Sequence, residues 1–208
     1  MIRALWRHFS YNYREGGLRQ IGHKIVWRAG QWVRSDVVWL VYHLDLRYFS
    51  MTPRLPLMEA RMDFEQLAAA GYFKALAFPE AVQQKLASGC RCHGFFWDGQ
   101  LANIGWTSCG YLEPEPGIRI IDKDSIGIHD CFTLPDFRSK GVYTDTLVRM
   151  LSGGRNDGAL RALIAVDPVN FASIRAIEKT GFQPLYRLTI RRRFGRRLRR
   201  ESPFDRIF

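Results

Sequence analysis

At 208 residues the chain fits one domain, or one domain with an appendage, and its 47% apolar content with six Trp and fourteen Phe excludes intrinsic disorder. A net charge of +11 points to anionic partners: nucleic acid, an anionic membrane or a phosphorylated ligand. The cysteines Cys90, Cys92, Cys109 and Cys131 form no CxxC pair and have no spaced His partners, so the pattern predicts small buried hydrophobes in a reducing compartment and no metal site.

In chain order, Met1 to Arg34 is basic and aromatic, and Gly16-Gly17 divides it. Arg3, Arg7 and His8 interrupt it before any apolar run develops, so no secretory signal is expected. Leu18, Ile21, Ile25, Trp32 and Val33 recur at helical intervals and predict an amphipathic helix, either interfacial or packed on the main domain. Val37 to Phe49 is dense in β-formers and predicts a strand, too short to span a bilayer at ~20 residues. A Pro-containing linker follows, then a short strand over Leu57 to Met62. Asp63 with Gln66 three residues on reads as a capping box opening a helix to about Ala70, and Pro79 opens another that runs to Gly89.

Cys90 to Trp97 and Gln100 to Cys109 flank Asp98-Gly99, a strong hairpin signal. Gly110 to Gly117 reads as a loop in which Glu113 and Glu115 are either solvated carboxylates or border an acceptor pocket, and Ser125 to Leu134 as a long strand. That strand ends at Pro135 and passes through Arg138-Ser139-Lys140-Gly141 into a helix over Val142 to Leu151, closed by a turn at Ser152-Gly153-Gly154. A helix start carries unpaired N–H donors and partial positive charge, so a basic glycine loop there suggests a phosphate or pyrophosphate site. Leu160 to Val166 reads as a central strand, Phe171 to Thr180 as a helix stopped by Gly181, and Phe182 to Arg193 as a last strand. The Arg-rich run from Arg191 to Arg200 predicts a solvated, mobile tail able to meet anionic lipid.

Two motifs give this order a meaning. Arg138-Ser139-Lys140-Gly141-Val142-Tyr143 resembles the Arg/Gln-x-x-Gly-x-Gly/Ala loop of the GNAT acyltransferase superfamily. Asn170, Ser173, Lys179, Gly181 and Phe182 match its late helix at the expected spacing. The resemblance covers roughly residues 57–193, leaving residues 1–50 as a basic extension and 194–208 as a tail. It implies an α/β (α+β) fold: a mixed, mostly antiparallel twisted sheet flanked by helices. It implies acetyl-CoA as co-substrate, no metal, and direct attack of an amine on the thioester. The cofactor would lie against Cys131, Phe132, Thr133, Arg138, Ser139, Lys140, Gly141, Val142, Tyr143, Asn170 and Ser173, with the backbone at Cys131 to Thr133 pairing with the pantetheine arm. Two positions depart from the pattern: Tyr143 replaces a small residue, and Ile177 stands where the family commonly places a Tyr acid.

His129 and Asp130 precede the loop, where similar enzymes place a base, and alternation along a strand points at most one of them at substrate. His129 has the better ordinary pKa for the role. A basic N-terminal segment and tail fit an anionic or membrane-associated acceptor, such as the nucleotide- or lipid-linked amino sugars that some bacterial members acylate in polysaccharide biosynthesis. A cytoplasmic protein, peripheral at the inner membrane face, is expected on that reading. The competing readings are a catalytically degenerate acyl-CoA-binding module and, with no recognised motif behind it, a nucleic-acid-binding protein.

Overall fold

The computed structural model describes residues 34–70, 79–193 and 196–203. The helix predicted over Leu18 to Val33 lies outside the described residues. The strand predicted from Val37 is β1, Arg34–Asp45, followed by a 3-10 turn at Leu46–Tyr48. After β2, Met58–Met62, the capping box forms as predicted: Asp63 accepts from the Gln66 N–H at 2.8 Å, and the Gln66 side chain accepts from the Asp63 N–H at 2.9 Å. It starts α1, Phe64–Ala69, and α2 is Pro79–Ala87. β3, Arg91–Trp97, turns back into β4, Gln100–Glu115, across Asp98 and Gly99, both at positive φ, the signature of a tight hairpin turn. Then come β5, Ile118–Thr133, a 3-10 turn at Pro135–Phe137, α3, Val142–Asn156, and β6, Arg161–Val166. α4, Phe171–Lys179, β7, Gln183–Arg193, and β8, Arg196–Ser202, complete the described chain.

Three sequence expectations are corrected. The stretch 110–117 is not a loop but the far half of β4 and its turn into β5. Leu112 and Ile120 are buried partners there, and the ladder is irregular between Leu112 and Glu115, which accommodates Pro114. α3 runs through Ser152-Gly153-Gly154. A Cβ at Gly154 would lie 2.4 Å from Cδ1 of Ile126, so that glycine marks where the helix touches β5 and not where it stops. The Arg-rich run holds a strand, β8, whose neighbour is β7. Strand pairing uses the backbone and leaves charged side chains free to point at water.

The chain forms two compact units. The larger runs over Trp39–Arg187; the smaller contains residues 34–38 and 188–202. In the larger unit the strands neighbour one another in the order β2-β3-β4-β5-β6-β1-β7, and in the smaller β8 lies beside β7. β5 and β6 pair in parallel, whereas β2/β3, β3/β4, β4/β5 and β1/β6 are antiparallel. β1 therefore lies within the sheet, with Leu40 opposite Val166 and Asp45 opposite Arg161.

The sheet of the larger unit carries helices on both faces. On one, Val142, Leu147, Val148 and Leu151 of α3 and Ile177 of α4 pack on Ile126, Ile128, Ile164 and Val166. On the other, Leu67 of α1 and Val82 of α2 pack on Cys92, Ile104 and Trp106. Each such buried aliphatic side chain stabilises the fold by roughly 1.5–3 kcal/mol. Two features of β5 position the site. Its pairing with β6 is registered only from Ser125↔Arg161 to Ile128↔Ile164, although β5 continues to Thr133. Its ladder with β4 shifts between Trp106↔His129 and Ile104↔Phe132, so two residues of β5, Asp130 and Cys131, oppose the single Gly105.

Candidate active site

Two cavities meet at the end of β5, and Cys131 and Phe132 line both. The smaller, about 560 Å³, lies among β5, the loop after it and the starts of α3 and α4. Its walls include Cys131, Phe132, Thr133, Arg138, Ser139, Gly141, Val142, Tyr143, Asn170 and Ser173. These are the predicted cofactor residues except Lys140, whose ammonium instead lies 5.7 Å over the Phe137 ring.

The chemistry of this cavity is that of the backbone. Gly141 is the N-cap of α3 at φ 80° and supplies no side-chain cap, so the first N–H groups of a 15-residue helix are left for another acceptor. A Cβ on Gly141 would meet nothing within 4 Å, so open space lies in front of that helix start. Ser139 also has positive φ, 61°, and helps turn the loop. Arg138 donates from Nε to the Thr133 carbonyl at 3.1 Å, and its guanidinium stands 5.4 Å over the Phe132 ring. Asn170 caps α4, accepting from the Ser173 N–H at 3.2 Å. Tyr143 packs against the main core, and burial pushes its phenol pKa up while the Ser173 hydroxyl, hydrogen-bonded to it, works the other way. Tyr143 and Ser173 thus meet in the wall of this cavity. An uncapped helix start, an adjacent Arg and an open glycine fit a pyrophosphate, and the β5 edge beyond Ile128 fits an extended arm.

The larger cavity, about 830 Å³, is walled by α2, β4 and β5. Here the sequence expectation that His129 and Asp130 face opposite ways is overturned. Asp130 sits in the bulge at φ 49°, and the broken alternation brings both side chains to the same cavity. His129 Nδ1 lies 3.2 Å from Asp130 Oδ2. A carboxylate accepts, so Nδ1 carries the proton and Nε2 is left with its lone pair. Nε2 is buried and has no hydrogen-bond partner among the described residues.

The ordinary histidine pKa behind the sequence argument does not survive folding. Burial lowers it to about 3, helped by the nearby Lys85 charge, with Glu113 opposing. Glu113, now on a strand, does line the cavity; Glu115 does not. Burial works against the charge of Glu113, but the Gly117 N–H at 2.7 Å and the Arg119 guanidinium at 2.9 Å outweigh it and hold its pKa below the usual value. Arg119 also stacks 4.4 Å over the Tyr111 ring.

Lys85, Trp106, Tyr111 and Arg119 belong to this cavity and were not singled out from the sequence. No local motif marks them, since they come from α2, β4 and β5. Of the cysteines, Cys90 and Cys92 are buried, Cys131 is half-buried, and Cys109 is exposed, against the expectation for all four.

Helices on both faces of a mixed sheet, with a glycine-loop helix start beside the place where two parallel strands part, define the class of fold. A family model described as "Acetyltransferase (GNAT) family" matches residues 57–182, and the chain belongs to that family. Solved structures of low identity share the fold. One is an acetyltransferase from the GNAT family of Colwellia psychrerythraea, with TM-score 0.54 and 18% identity, covering 74% of this chain and 56% of that one. Another is a GCN5-related N-acetyltransferase from Kribbella flavida, with TM-score 0.51 and 14% identity, covering 76% and 59%. A Drosophila protein gives TM-score 0.57 and 14% identity, covering 83% and 56%. The chain thus spans less than two thirds of the length of these structures. No curated protein matches it.

Proposed function

We propose that the protein is an acyl-CoA-dependent N-acetyltransferase that transfers an acetyl group to a primary amine. The observation that carries this reading is the junction of the two cavities at Cys131 and Phe132. One side has the backbone donors for a pyrophosphate; the other has a neutral imidazole beside a carboxylate. Acetyl-CoA supplies an activated acyl group; Arg138, Ser139, Gly141 and the first turn of α3 hold its phosphates, and Cys131 to Thr133 align its arm.

The acceptor amine binds in the larger cavity. It must be uncharged to react and must shed a proton as its new bond forms. Nε2 of His129 accepts that proton while Nδ1–H stays hydrogen-bonded to Asp130 Oδ2, 3.2 Å away, and Nε2 then passes the proton on to the departing CoA thiolate. Such a relay never accumulates the imidazolium that burial disfavours, so a low His129 pKa is compatible with it. The acceptor is a small or sugar-linked amine. The basic composition, +11 overall, supports an anionic one and contact with an anionic membrane surface from the cytoplasmic side.

The test is thermal unfolding with and without acetyl-CoA, in wild type and Arg138→Ala. A ligand at ~100 times its dissociation constant adds ~2.7 kcal/mol to the folded state, which is several degrees for a domain of this size. A shift in wild type that shrinks in Arg138→Ala is the expected result and justifies an amine screen by thiol release. No shift in wild type overturns the cofactor assignment. A shift with no turnover on any amine favours the degenerate binding module, to which the buried Ile177 at the family's acid position already lends weight.

A further inference from the structure

The amine-side cavity contains a cation with no part in the relay just described. Lys85, near the end of α2, lines the cavity beside His129 and Asp130. Its ammonium pairs with Oδ2 of Asp130, the same oxygen that faces His129 Nδ1. It also lies 5.3 Å from the ring centroid of Trp106. Trp106 is fully buried and sits opposite His129 across the β4–β5 ladder. Lys85 is therefore held on one side by an aromatic face and on the other by the carboxylate, two favourable contacts for an ammonium.

Asp130 needs such a partner. Its side chain is 52% exposed while that of His129 is 8% exposed, so packing does not fix the carboxylate. Without a second contact it would turn freely into the cavity and leave Nδ1 of His129 without its acceptor. The imidazole would then have no fixed tautomer, because the hydrogen bond made by one ring nitrogen decides which one carries the proton.

We infer that Lys85 is a positioning residue: by clamping Asp130 Oδ2 it fixes the Nδ1–H tautomer of His129 and keeps Nε2 as a bare acceptor. This rests on His129 acting as the proton relay. The charged and titratable groups facing the imidazole are Lys85 from α2, Asp130 on its own strand and Glu113 from β4, the last paired with Arg119 of β5. Cys90 and Tyr111 line the same cavity and contact each other at 3.2 Å. Of these groups, Lys85 touches the relay carboxylate and brings a positive charge to it, which also opposes protonation of His129.

The alternative is a partly exposed ion pair worth ~0–1 kcal/mol, with no say in the tautomer. Long-range proton–nitrogen spectra of the full chain labelled with [15N]histidine separate the two, recorded from about pH 4 to 9 across the range in which a histidine titrates. The chain has five histidines, and His129→Gln identifies the signal. In wild type His129 should show protonated Nδ1 and bare Nε2 and stay neutral to below about pH 5. In Lys85→Met the pattern should become a tautomer mixture, with a midpoint higher by about one unit or more. Lys85→Arg should restore the wild-type pattern. Asp130→Ala, which removes the acceptor, should lose it as Lys85→Met does.

An unchanged His129 signal in folded Lys85→Met overturns the inference. If Lys85→Met does not fold, an unchanged signal in Asp130→Ala overturns it equally. A wild-type His129 protonated at Nε2 overturns both the relay and the inference drawn from it. Acetyl-CoA thermal shifts on the same samples report on the cofactor assignment separately.

Discussion

The two cavities that share Cys131 and Phe132 are built from different materials. The smaller rests on main-chain geometry: Gly141 and Ser139 at positive φ, an uncapped helix start and a strand edge. The larger rests on side-chain charge: Lys85 with Asp130, Arg119 with Glu113, and a buried imidazole among them. The first comes almost entirely from one continuous stretch, 131–144, with α4 added. The second gathers residues from α2, β4 and β5. A backbone site responds to conformation and little to pH; a side-chain site titrates.

Acid makes the largest difference between them. His129 has a folded pKa near 3 against 6.5 ordinarily, so between those values the unfolded chain binds a proton that the folded chain does not. Stability therefore rises with pH through that window, is unaffected by this group above it, and falls as acid is added. The loss is on the order of 3 kcal/mol between neutral pH and about pH 4. Urea unfolding at both pH values checks it: His129→Gln should lose correspondingly less than wild type. Equal losses would mean that the imidazole is not held neutral by the fold.

A smaller effect belongs to the cofactor side. Asp145, buried in the first turn of α3, accepts from the Leu55 N–H at 3.0 Å and from Arg149 Nε at 2.9 Å. Asp145→Ala leaves the Arg54 and Leu55 N–H groups and Nε of Arg149 without their acceptor and should cost about 2 kcal/mol by chemical denaturation. Because it loosens the turn that presents the phosphate donors, the stabilisation by acetyl-CoA should shrink with it, while the His129 tautomer stays as in wild type. Movement of both together would blur the contrast between the cavities.

The smallest effect isolates backbone conformation. A Cβ at Gly141 meets no atom within 4 Å, yet φ is 80°. Gly141→Ala should therefore cost about 1 kcal/mol through strain alone and weaken acetyl-CoA binding without touching the amine-side charges. Full retention of both stability and binding would show that another conformation of the loop serves as well.

Sequence by itself determined what is local. The capping box at Asp63 and Gln66, the Asp98-Gly99 hairpin, the Asn170 cap and the Gly181 stop each depend on a few adjacent residues and form as read. That residues 131–143 line one cavity was legible for the same reason, with Lys140 the exception because its long side chain lies over an aromatic ring instead. Tertiary structure decided the rest. Burial of Leu112 against Ile120 overrode the glycine and proline signals of 110–117, and packing against Ile126 turned Gly154 from a stop into a contact. The bulge at Asp130 placed two neighbouring side chains in one cavity, and burial removed the ordinary basicity of His129. Alternation along a strand and a free side chain's pKa are properties of an isolated segment. Register against a neighbouring strand, and the dielectric around a buried ring, exist only once distant segments have come together.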